Sequence, residues 1–235
     1  MTGPPQATGG CAQGTGPEPA RDPELPGRLL RTERDALLPL LRATPTDRFA
    51  LRTACPGWTV RDVLAHCGAA LVRLAEGRTG DGAFRPEANA ADVAARTNWP
   101  LGRILDELEQ GFGEAGPALA ADPDGRWDTV ALGEWVHAGD VRAALGVPGA
   151  YGGAATALAL PLLAVASRRR ETPRLNAQLA DGYGPLMLGN PIPGRPPVDF
   201  RGDTPTLIRL YSGRPLVGTR YALTGGTEAE LSIYR

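Results

Sequence analysis

The stretch "LGEWVHAGDVRAALG", residues 132–146, carries one of only two histidines in a chain of 235 residues. Glu134, His137 and Asp140 recur in it at three-residue steps. On a helix that spacing sets side chains along one face, with Cβ atoms roughly 5–6 Å apart. A Glu-x-x-His pair is one way for a bundle helix to point two metal ligands into its core. A polar stripe facing water is the other meaning of the same pattern. The second histidine, His66, falls in "CPGWTVRDVLAHCGAALVRLAEG" among small and apolar neighbours. Two imidazoles from separate helices and one carboxylate make a three-ligand set with a position left open for water or substrate, as catalytic metal sites require. Such ligands suit zinc, iron, nickel or manganese. Taken singly, a histidine on an apolar helix is more often a satisfied core residue. Asp140 stands either as an acceptor behind the His137 ring or as a partner of Arg142 or solvent.

These residues need elements to bring them together. "LPGRLLRTERDALLPLLRA" places its leucines on one broad stripe and predicts a first helix, kinked at Pro39. Thr59, with Asp62 three residues on, forms a capping box, and Trp58 and Val63 stand at hydrophobic-staple positions, so a second helix begins there and stops near Gly77. A short helix is expected over "EANAADVAART", and Pro100 suits the first turn of a third long helix, Leu101 to about Leu119. Asp128 is read as the cap of the fourth helix, which holds the opening stretch and ends at Gly146. Four amphipathic helices joined by loops predict an up-and-down four-helix bundle. After "GVPGAYGG" the character changes. One helix, roughly Ala154 to Arg169, precedes "RLNAQLA", "LMLG", "VDFRG", "RYALTG" and "ELSIYR", which alternate as strands, with "TPTLIRLYSGR" as a short helix. The fold class is therefore α+β: a helical bundle over 24–150 followed by a small α+β domain over 151–235. Residues 1–23, rich in Gly and Pro and nearly free of large apolar side chains, read as a disordered tail.

Bulk composition narrows the partners. The formal net charge is −1, and all 25 basic residues are arginine. Neither nucleic acid nor an anionic membrane is recruited by such a balance. No run is long and apolar enough to span a bilayer, since the most apolar one, Ala157 to Ala166, contains Pro161. Three cysteines, Cys11, Cys55 and Cys67, form no CxxC and leave an odd count, which fits a reduced, cytoplasmic protein. Neither Cys55 nor Cys67 stands beside a recognisable base in the sequence, so nucleophilic catalysis by a protein thiol is not expected. Cys67 reads as a small core residue.

Two of these segments bring a family into view. "CPGWTVRDVLAH" and, much later, "EWVHAGDVRAALG" resemble the mycothiol-dependent maleylpyruvate isomerase family, within the wider DinB-like group of metal-binding four-helix bundles. The C-terminal "TPTLIRLYSGR…RYALTG" is similar to that family's appended small domain. The resemblance implies a DinB-like bundle holding a divalent metal, usually zinc, with His66 and His137 as imidazole ligands. In many relatives the acidic ligand stands four residues before the second histidine, where this chain has Gly133. Glu134 stands one residue later on the same helical side and is the expected third ligand, with Asp140 behind His137. The resemblance also implies mycothiol as cofactor, a small-molecule substrate, and either cis–trans isomerisation or transfer of the thiol to an electrophile. Arg214, in "SGR", resembles an arginine of the family's second domain. It is expected to grip a substrate carboxylate catalytically; its other meaning is an exposed arginine satisfying the carbonyls at a helix end. The chain is expected to be a monomer or homodimer, and against the enzyme stands a different class: a bundle of this fold that binds a small molecule or metal without catalysis.

Overall fold

The computed structural model describes residues 20–234. The predicted 1–23 tail, with Cys11, lies almost wholly outside them. Helix α1 runs over Leu25–Ala43 and continues through Pro39. A short 3₁₀ turn, Thr46–Ala50, leads to α2, Val60–Ala75. Then come α3, Pro86–Ala95, α4, Leu101–Ala121, and α5, Asp128–Leu145. The four long helices form the bundle: α1 and α2 each pack against both α4 and α5, while α3 leans on α2. Small residues permit the closest of these approaches. A side chain at Gly111 would put its Cβ 2.6 Å from that of Leu71, so α4 can lie against α2 only because position 111 has none.

Helix α6, Thr156–Arg169, packs on α1 and α5 and carries the chain to a four-stranded sheet of β1, Leu175–Leu179, β2, Pro185–Leu188, β3, Val198–Gly202, and β4, Ala222–Thr224. The order is β2-β1-β3-β4, with β1 and β3 parallel and both edge strands antiparallel to their neighbours. Helix α7, Thr204–Tyr211, follows β3, and a single turn, α8, Glu228–Leu231, follows β4. Buried apolar residues form one cluster reaching from Leu29 in α1 to Phe200, Tyr211 and Ile233. The α+β class is thus the observed one, and the helical and sheet parts share a core.

Two local expectations change. Asp128 is the first residue of α5 rather than its cap, and its carboxylate oxygens each accept from Arg21 at 2.8 Å. "ELSIYR" does not form a strand. Thr227 and Glu230 close a capping box, which turns the segment into α8 and then an extended end. That end returns to the bundle: the Ile233 amide donates to the Tyr211 carbonyl, and the Tyr234 hydroxyl reaches the Thr129 carbonyl of α5 at 3.4 Å.

Candidate functional site

The start of α2 is fixed by chemistry the sequence spells out. The Thr59 hydroxyl accepts from the Asp62 amide, and Asp62 accepts from the Thr59 amide at 2.9 Å, as a capping box demands. Just before it, the Trp58 amide donates to the Cys55 carbonyl at 3.1 Å across Pro56 and Gly57. Gly57 has φ 81°. Proline then a left-handed glycine are what the two central positions of a type II turn require. This turn aims the Cys55 thiol inward, while the helix that follows carries His66 further along.

His66 is 5 % exposed and its Nδ1 has no hydrogen-bond partner. Its ring lies 5.1 Å from that of Trp58 and 5.2 Å, edge to face, from that of His137. The two imidazoles therefore do meet, one from α2 and one from α5. Burial, reinforced by the His137 charge, lowers the His66 pKa to about 3, so this ring is neutral with its lone pair available. Glu134, one turn before His137, is 4 % exposed, and its Oε2 also lacks a partner. Burial raises its pKa to about 7, against the opposing pull of His137 and a hydrogen bond from Cys67. His66, Glu134 and His137 line one cavity of about 190 Å³, together with Asn89, Thr129, Gly133, Arg170 and Tyr234 among others.

Behind His137 lies a second, denser cluster centred on Asp140, which is fully buried. His137 Nδ1 sits 3.1 Å from Asp140 Oδ2. The Tyr151 hydroxyl donates to Oδ1 at 2.7 Å, and Arg214 donates through Nε to Oδ1 at 2.8 Å and through Nη2 to Oδ2 at 2.7 Å. Cys55 Sγ lies 3.1 Å from Oδ2 and 3.4 Å from His137 Nδ1. Burial alone would raise the Asp140 pKa; the bonds from His137 and Arg214 overcome it and hold the carboxyl far below its usual range. Burial likewise opposes the imidazolium of His137, and the bonds to Asp140 and Cys55 outweigh it, pushing the pKa up to about 10.

Of the two expected roles for Asp140, the acceptor behind His137 is the one seen; Arg142 instead pairs with Glu33 of α1. Arg214 is neither an exposed end-of-helix arginine nor a free one. Both sides of its guanidinium fork are committed to Asp140, and Nη1 donates to the Ser212 carbonyl. The expectation for Cys55 is corrected: it does stand beside an imidazole and a carboxylate, brought from 82 and 85 residues away. Nothing in the sequence singles out Tyr151. It reaches Asp140 only because Gly139 has no side chain, whose Cβ would lie 2.5 Å from the Tyr151 ring. Gly133 has a comparable use: a Cβ there would sit 3.3 Å from the Tyr234 hydroxyl.

Two donor sets can thus be considered for a cation. Among the described residues, Cys55, His137 and Asp140 are the one set of three ligand atoms within 4.8 Å of one another. A cation there would compete with Arg214 Nη2 for Oδ2, while Tyr151 and Arg214 Nε keep Oδ1, and would place its charge beside a buried guanidinium. His66, Glu134 and His137 are more open, but in two of them the unpartnered atoms are buried and line a cavity. Buried polar atoms without partners need an explanation, and neutral imidazole nitrogen with carboxylate oxygen is the donor chemistry of a borderline divalent ion such as zinc. The residues fit such a group.

Fold and site together define a class, that of helical bundles with an inward-facing histidine–carboxylate constellation and an appended small α+β unit. Within it, residues 30–150 match the family model for the mycothiol maleylpyruvate isomerase N-terminal domain, and the chain belongs to that family. It is also similar to two crystal structures. One is of the mycothiol-dependent maleylpyruvate isomerase, with a TM-score of 0.55 at 16 % identity. The other is of a histidine-to-alanine mutant of the mycothiol-dependent maleylpyruvate isomerase, with a TM-score of 0.54 at 17 % identity. Each comparison covers 88 % of this chain and 95 % of the other. No curated protein sequence matches the chain. No helix among the described residues is long and apolar enough to cross a membrane.

Proposed function

We propose that this protein is a divalent-metal-dependent enzyme that uses a low-molecular-weight thiol, mycothiol, for cis–trans isomerisation or S-transfer on a small electrophilic, carboxylate-bearing substrate. The observation that carries the reading is the pair of buried, unpartnered ligand atoms, His66 Nδ1 and Glu134 Oε2, lining one cavity with His137. His66, Glu134 and His137 would hold the ion, zinc by the chemistry of the donors. When bound, the ion supplies Lewis acidity and the thiol a sulfur nucleophile, the pairing needed for reversible addition to an electron-poor double bond.

The chain's own residues do the rest. Asp140 fixes the His137 ring by accepting from Nδ1, which leaves Nε2 as the ligand atom. Arg214 and Tyr151 fix Asp140 in turn, so Arg214 acts as a positioning residue through Asp140. Trp58 covers His66 and keeps water from that side. Glu134, with a pKa near neutrality, can hold a proton at Oε2 when no ion is present. A cavity of about 190 Å³ is smaller than the several hundred Å³ typical of drug-sized ligands. It suits a small acid and the thiol end of a larger cofactor.

Elemental analysis of the purified chain tests the reading. Close to one equivalent of zinc is expected, lost in His66→Ala and reduced in Glu134→Gln, together with thiol-dependent turnover of activated cis-alkenes that disappears in both variants. Full metal content and turnover in His66→Ala would overturn it. Metal binding without turnover of any alkene would favour the non-catalytic binder.

A further inference from the structure

The residue expected to receive a substrate carboxylate, Arg214, is occupied by the protein's own Asp140. The cavity nevertheless has a cation. Arg170 lines it, at the C-terminal end of α6 in the run Arg168–Arg170, and is the only arginine among its lining residues. The neighbouring Arg169 is tied to the Gly125 and Asp124 carbonyls. Arg170 has no carboxylate partner among the described residues and stands exposed, whereas His66 and Glu134 line the same cavity from its buried side.

We infer that Arg170 is the residue that binds the carboxylate of the substrate, so that the cavity selects small planar acids held between this guanidinium and the His66–Glu134–His137 end. The inference rests on reading this cavity as the active site. A single guanidinium presents two parallel N–H donors that match a carboxylate in its plane. Phosphate, with more charge and a tetrahedral array of oxygens, would call for further cations, and no lysine exists to supply one. On the other wall, Asn89 Oδ1 is buried without a partner and offers an acceptor to a hydroxyl or amide hydrogen of the same ligand. Tyr234 lines the same cavity as Arg170, with its hydroxyl over Gly133. Specificity would then be set by the second part of the chain, whereas the proposed metal ligands all come from the bundle.

The test is calorimetric titration of the full chain, as purified and after chelation, with pyruvate, maleate and fumarate, with the neutral diamide of maleate, and with inorganic phosphate. At least one of the acids is expected to bind, with affinity about tenfold or more weaker in Arg170→Gln and intermediate in Arg170→Lys, the loss expected for one charge-assisted bidentate contact. The diamide should be indifferent to both changes. Acid binding that ignores Arg170→Gln, the absence of binding by all three acids, equal losses for the diamide, or phosphate binding above that of the acids would each overturn the inference. Zinc content measured on the same samples separates the two readings. A chain that holds no metal as purified yet binds an acid through Arg170 would sink only the enzyme reading; a zinc-loaded chain whose acid affinity is blind to position 170 would sink only this one.

Discussion

Asp140 holds more of the site together than any other residue, although it need never touch a substrate. Four side chains converge on its two oxygens, and three of them come from outside its own helix. A buried carboxylate with this many donors cannot be replaced by an amide without leaving a guanidinium unneutralised. Asp140→Asn is therefore expected to lower unfolding stability by about 3 kcal/mol in chemical denaturation. It should also weaken zinc binding by roughly 10–100-fold, as the loss of a partner behind a metal-bound histidine does. Unchanged zinc affinity would separate the Asp140 cluster from the candidate metal centre. The Glu-x-x-His-x-x-Asp spacing made the carboxylate and His137 legible as neighbours on one face. It could not show Cys55, Tyr151 or Arg214, because nothing local encodes contacts that span 85, 11 and 74 residues. In the sequence Cys55 looks chemically idle; only the type II turn and the packing of α2 against α5 give it neighbours.

Among the elements, α1 and α5 are joined by a buried ion pair between Glu33 and Arg142. Burial raises the Glu33 pKa to about 7, with Arg142 pulling it back only in part. The folded state thus binds this proton more tightly than the unfolded chain, whose carboxyl keeps its usual value. By linkage, the stability this proton confers is complete below about pH 4.5 and is lost as pH rises through about 7. Unfolding free energy is expected to fall across pH 5–7 with a contribution of at most about 1.4 kcal/mol per pH unit from this site. Glu33→Gln should flatten that slope in urea titrations at a series of pH values; an identical slope would place the titration elsewhere. Element boundaries were the most legible part of the fold. Thr59 with Asp62, and Gly146 at φ 77°, are local devices that work in any context. At "ELSIYR" alternation favours a strand, but the capping box of Thr227 and Glu230 just upstream starts a helix instead.

At the scale of the molecule, the bundle does not own its site. Residues 30–150 carry the family match, yet Tyr151, Arg170, Arg214 and Tyr234 all lie beyond it. The core is likewise continuous, with α6 and the α7 residues Leu207, Leu210 and Tyr211 in the same cluster as the bundle helices. We propose a division near residue 150 as one of chain order rather than of independent stability. Residues 24–150 expressed alone are expected to melt well below the full chain, or without a cooperative transition, by circular dichroism. A fragment with the full chain's midpoint would show that the two parts fold separately. The sequence announced both parts through the change from helical to alternating periodicity. Their shared core was hidden, because shared burial leaves no periodic trace.

The chain's end rests where α5 lacks a side chain. Because a Cβ at 133 would sit 3.3 Å from the Tyr234 hydroxyl, positions 133 and 234 are coupled. A carboxylate moved back from 134 to 133 would push against the phenol, the outer end of a partly exposed side chain that has to give by a few tenths of an ångström. The residue at 234 therefore bears on how a side chain at 133 is accommodated, a hundred residues away along the chain.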